Sequence, residues 1–312
     1  MLKRKEKFIL FVLGILFFLN ILAWWIVFDL SKPQFLEVNF FDVGQGDAIF
    51  IQTPQRHQIL IDGGPDSKIL ERLAKEMPFW DRSIDLIILT HPERDHLVGL
   101  IEVLKSYNVE NIFWNGVKRD IPEFKEWEEA IKNEKAKVFI AKAGQKIIFQ
   151  NGKIEILFPF ESLENQILEN SNDTSIVTKL NFNQNSFFFT GDISKSAEEE
   201  LVNHYQNLKS DVLKVAHHGS KNSNSVEFLE KVLPDIAVIS VGKKDDSKPD
   251  CDNKERNPYG HPNCEVLERL KNFGTNILRT DEDGDIKIIS DGINLNSKFK
   301  SQNAKLQFKI QN

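Results

Sequence analysis

Cysteine is scarce: only Cys251 and Cys264 occur among 312 residues. That excludes the disulfide-dense class of small secreted scaffolds. Within the chain the two can pair only with each other, closing a short loop, and two separate thiols are the alternative. Positive charge is also in deficit, with 40 Lys and Arg against 46 Asp and Glu and a net charge of −6. Residues 1–30 hold four basic and two acidic side chains, so residues 31–312 carry −8. An acidic domain of this kind does not grip nucleic acid by its phosphates alone. Nucleic acid remains open as a substrate, because bound metal ions can supply positive charge locally. Between Ser31 and about Ser290 there is no low-complexity linker and no fixed-period repeat, so this stretch reads as one domain (31–290) followed by a polar tail (291–312), an edge strand or disordered. Hydrophobic residues make up 41% and charged residues 28%, the composition of an ordinary globular protein.

The long apolar run is FILFVLGILFFLNILAWWIVF, residues 8–28, interrupted by Asn20 alone. At about 1.5 Å rise per residue it spans roughly 30 Å of hydrocarbon. A cleaved signal peptide would have an apolar region of about 7–15 residues and a small-residue cleavage site. No A-x-A pattern follows, which favours an uncleaved signal-anchor lodged in a lipid bilayer. Lys3, Arg4, Lys5 and Lys7 precede the run and SKPQ follows it, so the positive-inside bias places residues 1–30 with their start in the cytoplasm and the rest outside. Trp24 and Trp25 near the outer end suit an aromatic belt, or are simple apolar filler.

Beyond the run, short β-like segments alternate with turns: 36–44, 48–53 and 57–64, then a helix over 67–77 with Pro78 behind it. IDLIILT (84–90) is continuously apolar, as a strand buried on both faces should be. Helices are predicted over 97–108 and 124–134. The second half gives strands at 153–159, 175–182, 186–192, 212–218, 236–242 and 285–290. Its helices fall at 197–206, 226–233 and 264–274, the last with Gly274 as a plausible cap. The alternation predicts an α+β, four-layer αββα sandwich.

Chemistry concentrates where strands end. THPERDH, residues 90–96, places His91, Glu93, Asp95 and His96 within six residues of a buried strand. Imidazole nitrogens mixed with carboxylate oxygens suit Zn²⁺, Mn²⁺ or Fe²⁺. The bland alternative is a solvated loop in which Asp95 caps a helix starting near Leu97. FFFTGDIS sets Asp192 after an apolar strand, and VLKVAHHGS sets His217 and His218 after another, each of which alone could be a turn or a structural pair. Ligands at several strand ends converge at one sheet edge, and an Asp shared between two metals is a standard two-metal arrangement.

THPERDH, TGD and HHGS occur in the order and spacing of the metallo-β-lactamase superfamily. FFDVGQGDAIFI (40–51), LIDGG (60–64) and NPYGHPNCEVLERL (257–270) narrow the resemblance to the extracellular hydrolase domain of the ComEC DNA-uptake family and its stand-alone relatives, over about residues 36–290. The resemblance implies two divalent metal ions, Zn or Mn. The first site would use His91, with or without Glu93, and Asp192 as the bridge. The second would use Asp95, His96, Asp192 and one of His217 or His218. Two departures weaken the first site: Glu93 stands where the superfamily usually has histidine, and SNDTSIV (171–177) offers Asn172 and Asp173 where many relatives place a third ligand. The resemblance further implies that Asp95 orients a water and His261 donates a proton or hydrogen bond to a phosphate, though a loop-capping histidine is the plainer reading. Asp47, Asp62 and Asn172 would support the ligands, while Ser220, Lys221 and Ser223 could meet a substrate phosphate or merely form a solvated loop. The proteins resembled have many membrane spans and this chain has one, so hydrolysis carries over and translocation does not. DNA or another phosphodiester is the expected substrate, with a separate DNA-uptake channel as a candidate partner. A lactone, thioester or β-lactam hydrolase and a non-catalytic binding module with a degenerate metal site are the rivals.

Overall fold

The computed structural model describes residues 3–30, 35–243 and 259–299. The chain divides into two compact units, Met1–Gln34 and Phe35–Asn312. The first is helix α1, Arg4–Leu30. By length and composition it is able to cross a membrane, with mean hydropathy 2.5 over its apolar window. Its polar break is satisfied locally, since the Asn20 amide donates to the Leu16 carbonyl at 3.3 Å, one turn back.

In the second unit the elements follow as β1 (Leu36–Phe40), β2 (Ile49–Gln52), β3 (Gln58–Ile61), α2 (Lys68–Glu76), β4 (Ser83–Leu89), α3 (Arg94–Ser106), β5 (Asn108–Trp114), α4 (Pro122–Asn133) and β6 (Lys137–Ile140). Then come β7 (Lys146–Phe149), β8 (Gly152–Phe158), β9 (Val177–Phe182), β10 (Asn185–Phe189), α5 (Lys195–His204), β11 (Val212–Lys214), α6 (Val226–Val232) and β12 (Ile236–Ile239). The unit closes with α7 (Cys264–Asn272), β13 (Asn276–Arg279), α8 (Thr280–Asp283), β14 (Ile286–Ser290) and β15 (Leu295–Phe299).

Two sheets result, in the orders β15-β14-β1-β2-β3-β4-β5-β6 and β13-β12-β11-β10-β9-β8-β7. Period-two alternation decides which side chain meets which layer. Phe187 and Phe189 of β10 join Phe40, Ile49 and Ile51 of the other sheet in one buried cluster. Phe188, between them, instead packs with Phe228 of α6 and Leu201 of α5. On the first sheet Leu86 and Ile88 point to the shared core, while Ile87 and Leu89 meet Leu97 and Leu100 of α3 and Trp127 of α4. Strands buried on both faces explain the continuous apolar runs, and the layers are the αββα sandwich expected from the sequence.

Local boundaries differ in ways that matter. Helix α3 begins at Arg94 rather than near Leu97, with Glu93 as its N-cap. Asp95 and His96 therefore sit in its first turn, and Asp95 is not the cap. Strand β11 stops at Lys214, and the two histidines after it lie in a 3₁₀ turn, Ala216–Gly219. β15 pairs antiparallel with β14 at the edge of its sheet and lies within the stretch 291–312. Strands β5, β6, β7 and β13 were not read from the sequence. β6, β7 and β13 are only four residues long, and β6 and β7 are partly exposed edges without long apolar runs.

In both sheets the parallel strands alternate with helices, and the loops after their carboxyl ends carry the candidate residues. β3–β4 and β10–β11 are parallel pairs. Asp62 follows β3, His91 follows β4, Asp192 follows β10 and His218 follows β11. That is where open α/β sheets hold ligands.

Candidate metal centre

The loop FDVGQGD folds over the start of α3. A Cβ on Gly46, whose φ is +136°, would lie 2.2 Å from the Asp95 carbonyl oxygen. Only glycine allows that approach, and it lets the Asp47 amide donate to the same oxygen at 3.3 Å. Behind it, the Gly63 amide donates to the His96 carbonyl at 2.8 Å. Asp62, His217 and His218 adopt left-handed backbone, with φ of 57°, 51° and 52°. Such conformations cost on the order of 1–3 kcal/mol each and gather at functional sites.

These segments bring four side chains to one point. The ligating atoms of Asp95, His96, Asp192 and His218 all lie within 4.8 Å of one another. Asp192 Oδ2 is 3.4 Å from His96 Nε2 and 3.2 Å from His218 Nε2, and Asp95 Oδ2 is 3.3 Å from His218 Nε2. The far sides of both rings are fixed. His96 Nδ1 is 2.8 Å from Asp62 Oδ2, and His218 Nδ1 is 2.8 Å from the Ser240 carbonyl. Both acceptors demand a proton on Nδ1, which turns each Nε2 toward the cluster. His91 reaches the same state by a relay. Thr90 Oγ1 gives its proton to Asp62 Oδ2 at 2.7 Å, so His91 Nδ1, 3.0 Å away, must donate to that hydroxyl. Among the described residues no hydrogen bond satisfies Nε2 of His91, His96 or His218, although all three are buried.

Lys214, which sequence reasoning missed, lies beneath this cluster. It is 1% exposed, pairs with Asp47, and places Nζ 3.0 Å from the Gly191 carbonyl and 3.4 Å from Asp192 Oδ1. Its signal was a charged residue inside the apolar run VLKVA, which period-two burial alone would have flagged. The electrostatics follow from the crowding. Burial penalises charge on His218, yet Asp192, Asp95 and Asp47 outweigh it and raise the imidazole to about 10. Burial likewise opposes charge on His96, but Asp192, Asp62 and Asp95 lift it well above the usual value. Burial and the neighbouring His96 hold His91 well below it. Burial would raise Asp192, but His218, His96 and Lys214 pull it well down. Asp62 is raised, chiefly by burial.

The remaining candidates separate. Glu93 accepts from Arg119 and, through Oε1, from the Ser171 amide and hydroxyl at 3.2 and 2.9 Å. The structure thus gives it an ion-pair partner 26 residues on, and it stands outside the four-residue cluster. His217 also stands outside that cluster, with Nε2 3.3 Å from Asn172 Nδ2, so His218 is the one of the pair that reaches it. His261 stands beside both, its ring centroid 5.6 Å from that of His217 and 6.4 Å from that of His218. Burial, with His218 and His217, lowers it to about 4. Ser223 is fully buried and its hydroxyl donates to the Ala216 and Ser220 carbonyls, so it braces the turn rather than facing a substrate. Ser220 is buried and Lys221 exposed. Cys264 opens α7, while Cys251 lies outside the described residues.

Three unsatisfied buried imidazole nitrogens and two carboxylates, with the rings held from behind, match what a divalent cation requires of a site. The protons on His96 and His218 occupy the positions such a cation would take. Residues 41–243, which include all four side chains of the cluster, match the family described as Metallo-beta-lactamase superfamily. The chain belongs to that superfamily.

Within it, the chain is similar to bacterial competence proteins. It is 30% identical over 268 residues to ComE operon protein 3 of Bacillus subtilis (strain 168), covering 80% of this chain and 32% of that protein. It is 30% identical over 265 residues to Recombination protein 2 of Haemophilus influenzae, covering 83% and 29%. The chain thus spans about a third of the length of these relatives. Among solved structures, the metallo-beta-lactamase fold protein YhfI from Bacillus subtilis superposes with a TM-score of 0.53 at 12% identity, covering 82% of this chain and all (100%) of that one. That likeness concerns the fold alone.

Proposed function

We propose that this chain is a membrane-anchored, outward-facing, metal-dependent hydrolase that cleaves a phosphodiester, either DNA or a related polymer. The observation that carries the reading is the convergence of Asp95, His96, Asp192 and His218, with each imidazole Nε2 turned inward by a partner on Nδ1. The names of the competence and recombination relatives support DNA as the substrate. Helix α1 and the basic residues before it support anchoring in a bilayer with the domain outside. Because the relatives are about three times longer, any partnership with a separate DNA-uptake channel belongs to this proposal too.

A divalent cation bound by these four residues supplies Lewis acidity and makes water more acidic at neutral pH. The chain's own groups do the rest. Asp62 and the Ser240 carbonyl keep the rings of His96 and His218 from turning. Asp95, whose side chain is 33% exposed against 4% for Asp192, is the carboxylate that solvent reaches, and it orients the attacking water. His261 is neutral at physiological pH, so it offers a hydrogen bond to a phosphoryl oxygen rather than a full proton. Lys221, exposed after the HHGS turn, places a positive charge where a phosphate approaches.

The test is metal-stimulated hydrolysis of linear DNA and of a generic phosphodiester by the native chain and by Asp95→Ala. The variant should lose that activity while remaining folded, as read by circular dichroism. Full activity in the variant would overturn the assignment. Activity on a lactone, thioester or β-lactam with none on phosphodiesters would favour the other hydrolase reading.

A further inference from the structure

Among the described residues of the second unit, no Phe, Tyr or Trp is more exposed than Phe79 and Trp80, at 83% and 73%. The two follow α2, and their rings meet edge to face with centroids 4.8 Å apart. The segment that carries them is pinned. The Asp81 amide donates to the Pro78 carbonyl at 2.9 Å, closing a turn with both rings at its tip. Asp81 in turn accepts from the Ser83 amide and hydroxyl at 3.1 and 2.7 Å, and from Gln58 Nε2 at 2.7 Å. Met77, just before the turn, is buried among the side chains of α2 and α3. A pinned turn that leaves two large rings in water forgoes the burial such side chains ordinarily contribute. Two rings in contact also form a patch rather than scattered exposure.

The place of this turn in the fold names the partner. Register runs from Glu37 through Gln52 to Gln58, and from Ile59 to Leu86. Phe35 and Ser83 therefore stand level at one end of the sheet, with three strand spacings or about 14 Å between them. Phe35 is also where the chain leaves the domain for α1. The Cα steps from Leu30 to Phe35 reach at most roughly 18 Å when fully extended. An α1 lodged in a bilayer thus keeps this end of the sandwich within reach of the lipid surface. Tryptophan joins an apolar ring to one N–H donor, the combination that settles between headgroups and acyl chains.

We propose that the Pro78–Asp81 turn is a second membrane attachment point, with Phe79 and Trp80 seated in the lipid interface. This rests on the reading of α1 as a membrane anchor and goes further by fixing which end of the domain meets the bilayer. The metal centre lies at the other end of the same strand. Ser83 opens β4 and Leu89 closes it just before His91, so its seven residues put about 20 Å between turn and centre. Two attachment points stop the domain from tumbling on its tether. They hold the centre facing away from lipid, open to a polymer arriving from outside.

The test uses the full chain in phosphatidylcholine nanodiscs, with and without bromines on the acyl chains, which quench tryptophan at short range. The chain has five tryptophans. Trp114 and Trp127 are buried in the domain and give an unquenched background. Trp24 and Trp25 report on α1, and the native emission minus that of Trp80→Phe isolates Trp80. Brominated lipid should remove most of the Trp80 emission. Quenching of Trp24 and Trp25 with none of Trp80 would overturn the proposal and leave the anchor intact. No quenching of any of the three would defeat the anchor, and the proposal with it. Trp80 emission that responds to two chains per disc instead of one, and not to bromine, would make a second copy the occupant and overturn the lipid assignment.

Discussion

Replacing Asp62 by asparagine tests whether the metal centre is oriented from behind. The native carboxylate accepts from the Thr90 amide at 2.8 Å, from the Thr90 hydroxyl at 2.7 Å and from His96 Nδ1 at 2.8 Å. All three partners are donors. An asparagine offers one oxygen and one NH₂, so one orientation sets NH₂ against the Thr90 amide and the other sets it against His96 Nδ1. In the second case His96 must move its proton to Nε2, the atom that faces the cation. One charge-assisted hydrogen bond is lost, worth about 1.5–3 kcal/mol. Loss of such supporting partners lowers metal affinity by roughly 10–100-fold, which is about 1.4–2.8 kcal/mol, so the two routes agree. Stability should change less than affinity, because the substitution also removes a carboxylate whose charge burial already disfavours. Calorimetric titration with Mn²⁺ reads the affinity, and ¹⁵N resonances of His96 read the tautomer. Native affinity with Nδ1 still protonated would refute the reasoning.

Two further outcomes follow from the same geometry. His218 is raised to about 10 without metal, against an ordinary value of 6.5. Its protonation therefore stabilises the metal-free fold fully below pH 6.5, and that contribution is lost as pH rises toward 10. Metal binding must then expel protons, and affinity should climb with pH until about 10. Titrations in buffers of different ionisation enthalpy should show proton release near neutrality, and none would count against the His218 assignment. Gly99→Ala gives a sign test in α3. Alanine gains about 1 kcal/mol of helix propensity over glycine, but its Cβ would fall 1.9 Å from the Gly63 carbonyl oxygen. Overpacking costs about 1–3 kcal/mol, and the obstacle is backbone, so the denaturation midpoint should fall and the adjacent Asp62 loop should loosen. A rise would mean that the helix slides without penalty.

Much of the fold was legible because its signals are local. Phe187, Phe188 and Phe189 read as an apolar strand, and the structure buries them in two different layers. Helices with one apolar stripe, such as α3, declared themselves by spacing. The edge strands β6 and β7 did not, since exposed residues dilute the pattern on which such readings depend. In the site, the clustering of Asp95, His96, Asp192 and the HHGS turn followed from their positions at strand ends.

Sequence by itself determined most of the element types, the long apolar helix, the sandwich and the segments that meet at its upper edge, because periodicity and strand-end placement are properties of the chain taken a few residues at a time. Only tertiary structure decided between His217 and His218, since neighbouring residues in a left-handed turn point in different directions. It alone gave Glu93 to Arg119 and set Lys214 against Asp47 and Asp192. Those pairings join residues 22 to 167 positions apart, as from Lys214 to Asp192 and to Asp47. Which charge faces which is fixed by how the two sheets close on each other, and no local pattern records it.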